Sequence, residues 1–205
     1  MFSGGRPDGC FRTAGPRPGW AARRDRFRAL HREGLFLGIV FGWFSCEFAA
    51  IFTGTARAAC EEYERQLRSK PSLFEPGRTR VYEPELQRLY GESLSRTDAA
   101  EQLTLAAARM HMQQCDAWMK QGTVITGADT MRVWSVSREA CRAACEAVEM
   151  LFRSVGASVV RGGDRLQRYF RDVQVYRVHF QSQAISPMLR AQTQLGLPLP
   201  APFHL

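Results

Sequence analysis

The sequence predicts an all-α protein folded as an antiparallel four-helix bundle. Three observations predict it. Four long segments repeat their apolar residues at three- and four-residue spacing, as a helix with one buried stripe must. Short Gly- and Pro-containing stretches separate these segments. The two-residue alternation of a half-buried strand is absent beyond Ser158–Arg161. Long helices joined by short connections pack most simply as antiparallel neighbours. A chain of 205 residues, 45% hydrophobic and 23% charged, has material for one sizeable core.

Residues 1–33 are rich in Gly, Pro and Arg, show no period, and are predicted as a disordered basic leader. Residues 1–32 hold eight arginines against Asp8 and Asp25, so six of the eight net positive charges lie there. The rest is nearly neutral, which argues against a nucleic-acid-binding face on the folded part.

The bundle is predicted over 34–195. Its first helix runs from Leu35 to Ser69, with a stripe through Cys46, Ala49, Ala50, Thr53, Ala56, Ala59, Cys60, Tyr63 and Leu67. Small residues (Ala49, Ala50, Gly54, Ala56, Ala59) predict close approach of a neighbour. Lys70-Pro71 ends the helix, because the residue before proline avoids helical geometry. Leu35–Cys46 is uncharged and follows the arginine-rich stretch, as in a signal peptide. Extended to Ala56 the run reaches 22 residues, the length of a membrane span, but Glu47 stands near its middle. A buried core helix accounts for the same residues. The expectation is a cytoplasmic protein without stable membrane insertion.

After a loop over Pro71–Tyr82, the second helix is predicted from Pro84 to Lys120, with Gly122 as its stop. Asp129 is the expected N-cap of the third helix, which runs to Val155 and stops at Gly156. The fourth is predicted over Asp164–Gln183, with Pro187 beginning the exit into a Pro-rich tail at 196–205. Six cysteines show no CxxC spacing and the four histidines are scattered, so the cysteines read as small buried residues and no metal site is expected.

The fourth helix carries the candidate chemistry. Arg168, Asp172, Tyr176, His179 and Gln183 follow one another at helical offsets, beside an apolar face of Leu166, Phe170, Val173, Phe180 and Ala184. Such a row can line a cavity. It can equally be a solvated face with an Arg168–Asp172 ion pair.

The run EAVEMLFRSVGASVVRGGDRLQRYFRDVQVYRVH (Glu146–His179) resembles the C-terminal signature of the acyl-CoA dehydrogenase superfamily, in particular the oxygenase components of two-component flavin monooxygenases. FAAIFTGTARAACEEYE (Phe48–Glu64) and YGESLSRTDAAEQLTLAAA (Tyr90–Ala108) are similar to the first and second bundle helices of that family. Many dehydrogenases of the superfamily carry Tyr-Glu-Gly eight to ten residues after a shared arginine, here Arg171, and the glutamate abstracts a proton. The corresponding residues are His179, Phe180 and Gln181. Phenylalanine cannot take a proton, so dehydrogenation by that route is disfavoured. The monooxygenases often have a histidine at the position of His179.

The resemblance therefore implies His179 as a flavin-facing acid/base residue, because reduced flavin reacting with O₂ needs a nearby proton donor and an imidazole suits that task near neutrality. It implies contacts to the flavin from the loop holding Gly156, Ser158, Gly162 and Gly163, and a substrate pocket that includes Asp172 and Tyr176. It further implies reduced FMN or FAD supplied by a separate flavin reductase, an aromatic or polyketide-like substrate, and a homo-oligomer, expected to be a tetramer. The superfamily builds its flavin site from three domains, and the sequence matches the bundle alone, so a truncated product is the expectation. An acyl-CoA dehydrogenase-like oxidoreductase with another base, and a non-catalytic oligomerising helical module, stand as alternatives.

Overall fold

The computed structural model describes residues 40–72, 74–156, 159, 163–179, 182 and 185–199. The predicted leader and the last residues of the tail lie outside these. Among the described residues five α-helices follow in order: α1 (Val40–Ser69), α2 (Pro84–Gln121), α3 (Gly127–Ser154), α4 (Arg165–Val178) and α5 (Ile185–Gln194), with a 3₁₀ turn at Arg80–Tyr82. Among the described residues the sole β-type pairing is an isolated bridge between Pro71 and Thr79 in the first connection.

Side-chain contacts fix the helix directions. Along α1 and α2, Thr53 meets Thr104 at 3.0 Å, Arg57 meets Glu101 at 2.8 Å and Cys60 meets Thr97 at 3.5 Å, so one number rises as the other falls. Between α3 and α4, Cys145 Sγ reaches the Val173 carbonyl and Phe152 stacks on Phe170. Both pairs are antiparallel, as the sequence predicts. α3 is the centre of the assembly and packs against α1, α2, α4 and α5. Its core face includes Ala140, Ala144, Ala147, Val148 and Leu151, all fully buried. Opposite stand Ala49, Ala56 and Ala59 of α1 in the same cluster.

The small-residue prediction holds for those three alanines and fails for two others. Ala50 and Gly54 face outward, and a Cβ added at Gly54 would meet nothing. The glycine that permits close approach is Gly42, where a Cβ would lie 2.8 Å from His111 Nδ1 of α2.

Three expected boundaries are corrected. The N-cap of α3 is Thr126, not Asp129: Thr126 Oγ1 accepts from the Asp129 amide at 3.2 Å and Asp129 Oδ2 accepts from the Thr126 amide at 2.9 Å. The two residues form one capping box, with Asp129 at its third helical position. α4 ends at Val178 rather than Gln183. Pro187 does not begin an exit; it sits in the first turn of α5, where its missing N–H is no loss. α5 seals a second small core, with Leu189 against Met131 and Trp134, and Leu199 of the tail packs there too. Among the described residues no helix is long and apolar enough to cross a membrane.

The start of α4 is pinned to α1 by a polar network. Asp164 caps α4 by accepting from the Leu166 amide at 2.8 Å. Gln66 Nε2 donates to Glu62 at 2.8 Å and to Asp164 at 3.2 Å, while Lys70 donates to Gln66 Oε1 at 2.6 Å. Glu62 is buried, yet hydrogen bonds from Arg65, and then from Gln66, hold its carboxyl below the usual range against the opposing pull of burial. A carboxyl depressed in the folded state stabilises above its unfolded pKa, about 4.3 for glutamate, and that stabilisation fades as pH falls through the folded value. Glu62→Gln should therefore flatten the acid limb of the stability curve. Urea unfolding between pH 7 and pH 3 checks this, and equal slopes for the two proteins would exclude the linkage.

Candidate functional site

α4 reaches the bundle along Leu166, Val173 and Tyr176, spaced seven and three residues apart, the spacing of a packed helical seam. That phase divides the polar row read from the sequence. Arg168 and Asp172 lie on the outer side, 3.8 Å apart in an exposed ion pair. Tyr176 lies inside, 3% exposed, its ring 5.0 Å from that of Phe52. Asp172 and Tyr176, predicted to share a pocket, therefore face different media. Phe180, Gln183 and Ala184 lie outside the described residues.

Burial pushes the Tyr176 phenol well above its usual range, and a hydrogen bond with Cys141 adds to the effect. The phenol stays protonated and acts only as a neutral hydrogen-bonding group. Burial likewise pushes the Cys141 and Cys145 thiols up to about 12. They are thiols rather than thiolates, and so inert, as expected of buried cysteines. Cys46, Cys60 and Cys115 are also free, and Cys10 lies outside the described residues. Among the described residues no group of His, Cys, Asp and Glu could hold a metal.

His179 stands one residue past the end of α4, with extended backbone (φ −74°, ψ 143°). Its amide donates to the Tyr176 carbonyl at 3.0 Å, and its carbonyl accepts from the Ser182 amide at 3.0 Å and the Ser182 hydroxyl at 2.8 Å. The half-buried imidazole packs on Phe48, with ring centroids 4.9 Å apart and planes at 32°. Phe48 belongs to a row on α1 at four-residue spacing, 4.7 Å from Phe44 and 5.9 Å from Phe52. The sequence reading missed this shelf, although the i, i+4 spacing of three phenylalanines signals it. The result is a half-buried imidazole held against an aromatic wall just past the end of α4. Such a group can give or take a proton there.

The glycine loop lies elsewhere. Gly156 and Gly163 adopt positive φ (78° and 98°), where L side chains are strained, and both are exposed. Ser158 and Gly162 lie outside the described residues. Gly163 and His179 flank α4, roughly 24 Å apart at 1.5 Å per residue. Gly163 and His179 thus stand at opposite ends of α4.

The family model for the acyl-CoA dehydrogenase C-terminal domain matches residues 46–184, more than half of the chain. The chain belongs to that family. Among solved structures, this acyl-CoA dehydrogenase C-terminal domain is similar to the 3-HSA hydroxylase of Rhodococcus sp. RHA1 (TM-score 0.69, 20% identity, covering 86% of this chain and 45% of that one). It is similar as well to the HsaA monooxygenase of M. tuberculosis (TM-score 0.68, 20% identity, 87% and 46%). A third is XiaF of Streptomyces sp., determined with FADH2 and glycerol (TM-score 0.68, 19% identity, 82% and 42%). At these identities the likeness establishes the shared fold, and the chain spans less than half the length of each of these structures. No curated protein sequence matches the chain significantly.

In this family member Tyr176 is therefore a core residue with one polar bond. Tyr176→Phe should lower stability by about 1 kcal/mol through loss of that bond, and Tyr176→Ala by about 3–5 kcal/mol through the cavity it opens. Denaturant unfolding checks both. Equal losses would mean that the ring contributes nothing beyond its hydroxyl.

Proposed function

We propose that this chain is the bundle portion of a flavin-dependent monooxygenase, with His179 as the group that exchanges a proton at the flavin's edge. The observation that carries the reading is the half-buried His179 on Phe48, one residue past α4, in a chain whose fold is shared with a hydroxylase, a monooxygenase and a protein determined with FADH2. The residue after it is Phe180, which has no acid or base to offer a dehydrogenation.

The fit of a flavin rests on this edge: an imidazole for proton exchange, and Phe44, Phe48 and Phe52 as an apolar wall that excludes water from one side. Gly156 and Gly163 offer a separate contact, where backbone rather than side chain would approach the cofactor. When bound, reduced flavin would supply the electrons that activate O₂. The chain's own contribution is then to hold a proton at an imidazole nitrogen of His179 and release it toward the flavin. FMN and FAD both suit this reading, reduced by a separate reductase, with an aromatic or polyketide-like compound as the molecule hydroxylated. The other walls of the site would come from further domains or from further copies in a homo-oligomer, and the setting is the cytoplasm.

A second reading, a non-catalytic helical module, draws on the chain's length, which covers less than half of each of these structures. Anaerobic calorimetric titration with reduced FMN and FAD separates the two. Saturable micromolar binding is expected, and its absence at millimolar flavin would leave the module. In a reconstituted reaction with a reductase, His179→Ala should lower product formed per flavin consumed by about 10²-fold, the smaller end of general acid–base effects, with H₂O₂ rising in compensation. An unchanged yield would remove His179 from the chemistry.

A further inference from the structure

The position of His179 depends on bonds made after the helix has ended. Beyond Val178 no intrahelical ladder continues, so the carbonyl of His179 must find its donors elsewhere. It finds both in Ser182, whose amide donates at 3.0 Å and whose hydroxyl lies at 2.8 Å. The same hydroxyl lies 3.0 Å from the Arg177 carbonyl, so one side chain bridges the last helical turn and the residue that leaves it.

Ser182 is in turn tied to the centre of the bundle. Arg138 of α3 donates from Nη2 to the Ser182 carbonyl at 3.3 Å and from Nη1 to Glu139 at 2.7 Å. Packing does not substitute for these bonds. A cleft of about 280 Å³ lies beside the turn, lined by Arg138, Arg142, Cys145, Tyr176, Arg177 and Ser182. The other two guanidinium groups there are engaged elsewhere, Arg142 with Glu139 and Glu146, Arg177 with Glu149. Arg138 Nε is buried with no partner, so the side chain keeps this placement at the cost of a lost hydrogen bond.

We infer that Arg138 is a positioning residue for His179, acting through Ser182 to lock the turn that carries the imidazole onto Phe48. The inference rests on the reading of His179 as the flavin-facing group, and its test needs no flavin, so each can fail without the other. The Phe48 ring makes the imidazole position observable, because a proton over an aromatic face resonates upfield. In ¹H–¹³C spectra of the full chain with labelled histidine, the His179 signals, assigned with His179→Gln, should lie upfield. Arg138→Met and Ser182→Ala should each lose most of that displacement, and Arg138→Lys should keep part of it. His111, buried on α2 away from the turn, is the internal control and should not move. His179 signals unchanged in both variants, or His111 moving with them, would overturn the inference. Should a variant fail to fold, hydrogen exchange in the unmodified protein decides. The Ser182 amide is expected to exchange at least about tenfold slower than in an unstructured chain, and exchange at the free rate would overturn the lock.

Discussion

Ala49, Ala56 and Ala59 of α1 share one core with Ala140, Ala144 and Ala147 of α3, and none of the six keeps any exposed surface. Methyl-sized side chains on both helices let the backbones come close, and the interior has no slack for a larger group. The other helices are arranged around that pair. α2 closes one side, joined to α1 by Thr53–Thr104 and the Arg57 ion pairs, and α4 closes another through Leu166, Val173 and Tyr176. Residues on α1 and α3 therefore form a fixed frame, and the segment at the end of α4 takes its geometry from both. Phe48 belongs to α1 and Arg138 to α3.

α4 is the least anchored of the four main helices, being shortest and packed on one stripe. Its two ends are held by polar bonds rather than by apolar surface. At the start, Asp164 caps the helix while Gln66 ties that cap to α1. At the finish, Ser182 gathers two carbonyls and Arg138 holds Ser182. Directional bonds specify a position more narrowly than apolar contact does, which suits a segment whose last residue must stand at a defined place.

Most of the fold was legible because its signals are local. Periodicity located α1, α2 and α3, and Lys70-Pro71, Gly122 and Gly156 marked their ends within a residue or two. α4 was read too long because its cause of termination is not local. Between Val178 and Pro187 the sequence offers no glycine or proline, and the stop comes from Ser182 and from Arg138, more than forty residues earlier in the chain. The polar row misled for a related reason. Offsets of four place Asp172 and Tyr176 on neighbouring meridians of the helix, and the boundary between solvent and core happens to run between them. Only the packing partner determines that boundary. Had the seven–three spacing of Leu166, Val173 and Tyr176 been weighed first, the tyrosine would have been placed in the core.

A proton-transfer group must satisfy two conditions that oppose each other: a fixed position and contact with a partner. The three candidates on α4 separate along that axis. Tyr176 has the fixed position, but burial raises its phenol well above the usual range and keeps it protonated. Asp172 has access, yet it is exposed beside a likewise exposed Arg168, and exposed ion pairs confer little positional order. His179 meets both conditions because it stands one residue outside the helix, where the chain turns from core to surface. One ring face is covered by Phe48, and the backbone is tied at amide and carbonyl. The break in α4 at Val178 is thus what the proposed role of His179 depends on. A helix continued to Gln183 would have placed residue 179 by helical phase alone, without the turn that Ser182 and Arg138 now hold.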